Sequence, residues 1–107
     1  MSKIVQLSSD DYESLMKEKK VWNLDVREKY EYAMGHIRGA HLVPSTRFEE
    51  EFEKLKIKKT DKIGVYCRSG SRSDFIAKKL VEMGHKNIYN LEMGILEWLE
   101  YGKKLVK

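Results

Sequence analysis

Residues 63–73 read Ile63-Gly64-Val65-Tyr66-Cys67-Arg68-Ser69-Gly70-Ser71-Arg72-Ser73, an apolar run that breaks into a polar loop and then into a helical pattern. The run is short and β-prone, so it predicts a strand ending at Tyr66. It delivers Cys67, the single cysteine of the chain, to the strand's C-terminal end. Gly64 inside the strand suggests a close approach by a neighbouring backbone. Beyond the loop, Phe75, Ile76, Leu80 and Met83 fall on a helical stripe that Gly84 closes. Ser71 and Asp74 fit a Ser-x-x-Asp variant of the capping box at the helix start. A strand, a tight loop and a helix in that order point to an α/β fold.

The loop is also where the chemistry gathers. Two arginines and three hydroxyl side chains lie within six residues of the sulfur, and Gly70 lets the backbone bend tightly. Such a loop surrounds an anion with N–H donors, and the same field holds a sulfur as thiolate. The amides of the following helix start add partial positive charge. The candidate site is therefore a nucleophilic Cys67 in an anion cradle made of Arg68, Ser69, Gly70, Ser71, Arg72 and Ser73. A lone cysteine elsewhere would read as a small buried hydrophobe. One cysteine also excludes an internal disulfide and a CxxC pair for redox or zinc.

The rest of the chain supplies strands and helices in alternation. Ile4-Val5-Gln6-Leu7 predicts a first strand, and Ser8 and Ser9 before Asp10 and Asp11 supply N-cap chemistry for a helix over about residues 11–19. Tyr12, Leu15 and Met16 form its core stripe. Val21 to Val26 is mostly apolar and predicts a strand buried on both faces. Alternation places Asp25 and Arg27, at its end, on one side. They read equally as a surface charge pair or as a second wall of a site at the strand's C-terminal end. Lys29 to Met34 predicts a short helix capped by Gly35. Residues 40–43 predict a third strand closed by Pro44. Phe48, Phe52 and Leu55 share one stripe of a helix whose glutamates face water. Asn87 to Leu91 predicts the last strand, and Ile95, Trp98 and Leu99 point inward from a final helix over about residues 95–101. The expected fold is a single domain over residues 1–107: three layers, with a central, mostly parallel five-stranded sheet flanked by helices on both faces.

Composition narrows the function classes. The chain has 107 residues, 41% of them apolar and 36% charged. Its apolar runs are far too short for a membrane span, and its N-terminus lacks the features of a signal peptide. The expected location is cytoplasmic, with no membrane partner. The formal charge of +4 comes from 21 basic and 17 acidic residues, spread along the chain rather than drawn into a basic stripe with aromatics, so nucleic acid is not an expected partner. His36 and His41 lack carboxylate or cysteine partners at ligand spacing, so no metal is expected.

Two chemistries fit a thiolate in such a cradle. Phosphate ester cleavage uses C-x5-R, whereas Arg72 follows Cys67 after four residues and Ser73 stands at the phosphatase position. The shorter loop should hold a ring too tight for a phosphoryl group. Attack on a sulfane sulfur instead adds one sulfur atom to Cys67 and then passes it on, without a cofactor.

The loop Cys67 to Ser73 resembles the active-site loop of single-domain rhodaneses, the thiosulfate sulfurtransferases. Asp25-Val26-Arg27-Glu28 resembles a first signature of that family, residues 31–40 (Glu31-Tyr32-Ala33-Met34-Gly35-His36-Ile37-Arg38-Gly39-Ala40) a second, and Leu91-x-x-Gly94-x-x-x-Trp98 a C-terminal one. The resemblance implies a rhodanese-like fold, with Cys67 as sulfur acceptor and the amides of Arg68 to Ser73 binding the persulfide. Arg68 and Arg72 would hold a sulfonate or orient the loop, Asp25 and Arg27 would brace the site, and His36 and Gly39 would be structural. It also implies a small anionic sulfur donor and a thiol or cyanide acceptor, or a protein in either role. The alternatives are a protein-dependent persulfide carrier and a cysteine phosphatase or arsenate reductase of the same fold. Met93 stands where the family often has a glycine, and Leu42-Val43-Pro44 varies the usual residues before the proline.

Overall fold

The computed structural model describes residues 3–107. The strand predicted before Cys67 runs from Lys62 to Tyr66 and lies at the centre of the sheet. In chain order the strands are β1 (Ile4–Leu7), β2 (Val21–Asp25), β3 (His41–Leu42), β4 (Lys62–Tyr66) and β5 (Asn87–Leu91). The sheet has five strands in the order β1-β5-β4-β2-β3, and every neighbouring pair is parallel. Parallel pairing needs crossovers, supplied by helices α1 (Ser9–Met16), α2 (Lys29–Met34), α3 (Phe48–Lys54) and α4 (Ser71–Glu82), with α5 (Gly94–Glu100) following β5. The third strand is shorter than predicted. The chain leaves the sheet at Val43, whose N–H bonds to Asp25 O, and a 3₁₀ turn over Ser45–Arg47 leads into α3.

Alternation along the central strands divides the core in two. Ile63 and Val65 of β4 and Leu24 of β2 pack with Phe48 and Phe52 of α3 and with Ile76, Ala77 and Leu80 of α4. Tyr66 and Leu91 join Tyr12 of α1 with Ile95 and Trp98 of α5 in the second cluster. Fully burying one such side chain contributes about 1.5–3 kcal/mol before entropy is counted.

Three stripe residues are not inward. Phe75 is 67% exposed, Met83 39% and Leu99 48%. In α4 the buried stripe is Ser73, Ile76, Ala77 and Leu80, with a serine where the pattern suggested phenylalanine. The buried stripe follows the i, i+3, i+4, i+7 spacing from Ser73, which turns Phe75 to the opposite side of the helix. Helix α1 stops at Met16, short of the predicted residue 19. Lys20 adopts a left-handed φ of 62°, which turns the chain into β2. Ser8 caps α1 as expected, its Oγ accepting the Asp11 N–H at 3.2 Å.

Gly64 is required by side chains rather than by backbone. A Cβ there would sit 2.7 Å from both Tyr12 Oη and Met16 Cε, and Tyr12 is pinned because its hydroxyl donates to Asn23 Oδ1 at 2.7 Å. Gly64→Ala is therefore expected to lower stability by about 1–3 kcal/mol through overpacking, seen as a lower urea midpoint with unchanged m-value.

Candidate active site

Cys67 follows β4 directly and is buried, with 1% exposure. Helix α4 begins at Ser71 with Gly70 as its N-cap at φ 100°, and Gly70 has no side chain to cap with. The predicted Ser-x-x-Asp box does not form, because Ser71 is already inside the helix. The sulfur takes the capping role instead. Cys67 Sγ accepts the Gly70 N–H at 3.1 Å and the Ser73 N–H at 3.4 Å. Ser73 Oγ lies 3.4 Å from the same sulfur and 3.1 Å from Gly70 O, so its single proton serves one acceptor at a time. Donors aimed at a sulfur in a buried setting stabilise negative charge on it and on a sulfur attached to it. Arg68, Ser69 and Ser71 are exposed, on the outside of the loop.

The loop is locked against the start of α5. Ile95 N–H donates to Cys67 O at 3.1 Å and Leu96 N–H to Arg68 O at 3.2 Å, which uses two of the free amides at that helix end. This docking leaves no room for side chains. A Cβ on Gly94 would fall 2.2 Å from Arg68 O, and one on Gly70 would fall 1.9 Å from Glu92 O. Both glycines also have positive φ, at 68° and 100°. Met93, which departs from the family's usual glycine, has φ −100° and an exposed side chain. That backbone suits any residue, so the departure leaves the turn unchanged.

Asp25 and Arg27 do lie together, and the pair is not a surface pair. Arg27 Nη2 donates to Asp25 Oδ2 at 2.7 Å, with the two side chains 5% and 0% exposed. The remaining valences are used as burial demands. Asp25 also accepts Arg27 Nε and N–H and the Tyr66 hydroxyl, the last at 2.7 Å. Arg27 Nη2 donates to Gly35 O at 2.7 Å, and Tyr66 Oη accepts the Ile37 N–H at 3.0 Å. Burial, and then the Asp25 carboxylate, push the Tyr66 hydroxyl far above its ordinary range, so it remains a donor. The network ties the residue before Cys67 to β2 and to the turn after α2. The pair braces the strand end and does not touch the sulfur.

Arg72 is held away from the cradle. Its Nη1 and Nη2 donate to Glu31 Oε1 and Oε2 at 2.8 and 3.0 Å, a bidentate pair between α4 and α2. The Arg72 hydrogen bonds lower the Glu31 carboxyl to about 2, against an opposing effect of burial. Beside Arg68 and Glu31 lies a cavity of about 440 Å³ between α2 and α5. His36 is structural: its ring stacks on Tyr32 at 3.7 Å, its Nδ1 lies 2.9 Å from Tyr32 O, and its backbone pairs with Val106. His41 lies against Trp22. Among the described residues no three His, Cys, Asp or Glu side chains gather as metal ligands, and no helix is long and apolar enough to cross a membrane.

Sequence reasoning passed over Glu31, Tyr66 and Gly94 as individual actors. Glu31 and Gly94 stand inside the quoted signatures, and Tyr66 is the inward neighbour of Cys67 on the opposite face of β4. Each acts through a partner distant in sequence.

This geometry agrees with the comparisons to known proteins. The sequence model of the rhodanese-like domain family matches residues 8–101, and the chain belongs to that family. The chain is 33% identical over 102 residues to the tRNA uridine(34) hydroxylase of Hamiltonella defensa, a match over 92% of this chain and 29% of that protein. It thus spans less than a third of the curated relatives it matches. Among solved structures, a rhodanese-related protein from Thermoplasma volcanium is 28% identical with a TM-score of 0.79, covering 95% of this chain and 97% of that one. The polysulfide-sulfur transferase homodimer of Wolinella succinogenes is 29% identical with a TM-score of 0.82, covering 96% and 78%.

The Arg72–Glu31 pair makes stability pH-dependent in one direction. With the Glu31 carboxyl lowered from its ordinary 4.5 to about 2, the pair stabilises fully above pH 4.5 and loses its contribution as pH falls toward 2. Glu31→Gln is expected to cost roughly 0.5–1 kcal/mol at neutral pH, a value discounted for the half-exposed arginine. Urea denaturation of both proteins between pH 7 and about pH 2 should show that difference closing. A gap that stays constant with pH would remove the pair from the stability of the site.

Proposed function

We propose that this protein moves a sulfane sulfur from an anionic donor such as thiosulfate, through a persulfide on Cys67, to a thiophilic acceptor such as cyanide or a thiol. The supporting observation is the pair of backbone N–H groups, Gly70 at 3.1 Å and Ser73 at 3.4 Å, that converge on Sγ. The Cys67 thiolate attacks the outer sulfur of thiosulfate. The S–S bond of the donor breaks and its electron pair leaves on sulfite, so Cys67 carries –S–S⁻. An acceptor then attacks the terminal sulfur and the Cys67 thiolate returns. Charge moves along a sulfur chain within one cradle, which fixed amides accommodate without reorganisation. Asp25, Arg27 and Tyr66 hold the strand end, and Arg72 orients the loop through Glu31.

The same contacts speak against phosphoryl transfer. That chemistry needs an arginine fork facing the transferred group, and here both nitrogens of the Arg72 fork are bonded to Glu31. The likeness to a polysulfide-sulfur transferase supports a sulfur chain as the species handled. A persulfidated protein is the alternative donor for this mechanism, in which case the chain acts as a carrier. A free thiolate cycle of this kind suits the reducing cytoplasm.

A second reading comes from the relative named tRNA uridine(34) hydroxylase. On that reading Cys67 of this chain serves a reaction at a tRNA uridine. Intact-mass analysis separates the two. Incubation with thiosulfate should add the mass of one sulfur, mapped to Cys67, and cyanide should remove it as thiocyanate. Cys67→Ser should show neither. No adduct on the wild-type protein, together with oxygen added to a tRNA uridine in a Cys67-dependent way, would replace the first reading with the second.

A further inference from the structure

Every strand runs in the same direction, so the connections that enter the strands meet at the N-terminal edge of the sheet. Cys67 leaves β4 at the other edge, across a strand of five residues, about 16 Å long. The entering connections are rich in exposed cations. Lys17, Lys19 and Lys20 lie between α1 and β2, and Lys56, Lys58 and Lys59 lie between α3 and β4. Lys86 stands before β5 and Arg38 before β3. Along the chain these residues form no stripe. The parallel sheet gathers them at one pole, which restores a partner class that their spacing in sequence disfavours.

The charge at this pole is uncompensated. None of these side chains has an ion-pair partner among the described residues, and Lys59 reaches a carbonyl, Met83 O at 2.7 Å. The carboxylates on the same connections, Glu18 and Asp61, are both engaged. Glu18 pairs with Lys62 at 2.8 Å. Asp61 accepts the Trp22 Nε1–H at 3.2 Å and the Lys58 N–H at 3.1 Å. Cations also answer the dipole at a helix C-terminus, but that effect fades within the last turn. Lys20, Lys58 and Lys59 lie beyond it.

Two hollows at this pole set the cations beside aromatic rings. One, of about 620 Å³, has Lys17, Arg38 and Lys104 around the exposed ring of Tyr101. Its Glu13 is held by Lys103, which also pairs with Asp10. The other, of about 460 Å³, has Lys20 and Lys58 beside Trp22 and the exposed His41, whose rings lie 5.2 Å apart. Lys17 lines one hollow and Lys20 the other, so their Cα atoms are at most about 11 Å apart. Flat rings beside free cations, repeated at that spacing, suit a polymer that alternates stackable bases with phosphates. A lipid surface would call for an exposed aliphatic face among the lysines. The aliphatic residues of these hollows, Met16, Val21 and Ile37, are buried or half-buried.

We propose that the N-terminal edge of the sheet binds single-stranded nucleic acid. Its phosphates lie on Lys17, Lys20, Arg38 and Lys58, and unpaired bases stack on Tyr101 and on the face formed by Trp22 and His41. The site is separate from Cys67, and the inference does not depend on the chemistry there.

The test is fluorescence anisotropy of a labelled, unstructured RNA of about 12 nucleotides, a length within the range such surfaces cover. Changing Lys17, Lys20, Arg38 and Lys58 together to Gln is expected to weaken binding by about 10-fold or more. The slope of log K against log salt should become shallower by about 3, at about 0.7 for each lost phosphate contact. All four side chains are exposed, so their loss leaves the core intact. Tyr101→Ala is expected to weaken binding about 5-fold with the slope unchanged, which marks a lost stack. Lys29→Gln with Lys78→Gln removes charge from other faces and is expected to change neither readout. Comparable weakening in that control shows attraction to net charge alone and overturns the site. Equal or tighter binding of a duplex of the same length, whose bases are hidden, overturns it as well. Absence of RNA binding overturns the proposal outright, and binding of phosphatidylserine vesicles in its place would assign the edge to a lipid surface.

Discussion

A helix that starts without a capping side chain leaves amides in need of an acceptor, and in this protein the acceptor is Cys67 Sγ. Helix α4 has glycine at its N-cap, and its first-turn donor from Ser73 closes on the sulfur with the Gly70 amide. The arrangement serves the fold and the chemistry at once. Buried amides need a partner, and a sulfur surrounded by amides is stabilised when it carries charge. The Cys67 sulfur is therefore part of the local architecture rather than an ornament on it.

The surroundings keep that geometry from relaxing. The start of α5 bonds the loop's first two carbonyls, and two glycines permit an approach that any Cβ would block. On the other side, the buried Asp25–Arg27–Tyr66 network anchors the end of β4 to β2 and to the turn at Gly35. A buried ion pair is weak evidence for stability, since desolvation offsets much of its attraction. Its contribution here is positional: the Asp25 carboxylate binds both Arg27 and Tyr66, the residue immediately before Cys67. Arg72 completes the frame from outside by joining α4 to α2 through Glu31.

Division of labour among the arginines follows. Three guanidinium groups lie around the site, and composition alone would treat them as one basic field. Arg27 is structural and buried, Arg72 is clamped, and Arg68 is exposed beside the cavity. Only a cation without a resident carboxylate can receive an incoming anion at little cost.

Local sequence was enough for the strand that ends at Cys67, the alternation of strands and helices, the parallel sheet, and the cysteine with its glycine-bearing loop. These depend on short-range periodicity and on residue chemistry, which survive without knowledge of partners. The capping box at Ser71, the inward placing of Phe75 and Leu99, and the backbone approach at Gly64 were misread, because each depends on what faces the residue across the fold. A thiol in the capping place, a tyrosine ring over a glycine, and a helix start docked on a loop are contacts between segments far apart in the chain. Sequence by itself therefore determined where the single cysteine sits and which strand presents it. Tertiary structure alone decided which donors surround its sulfur, which arginine beside it is free, and which cavity opens there, since burial and pairing are properties of neighbours brought together by folding.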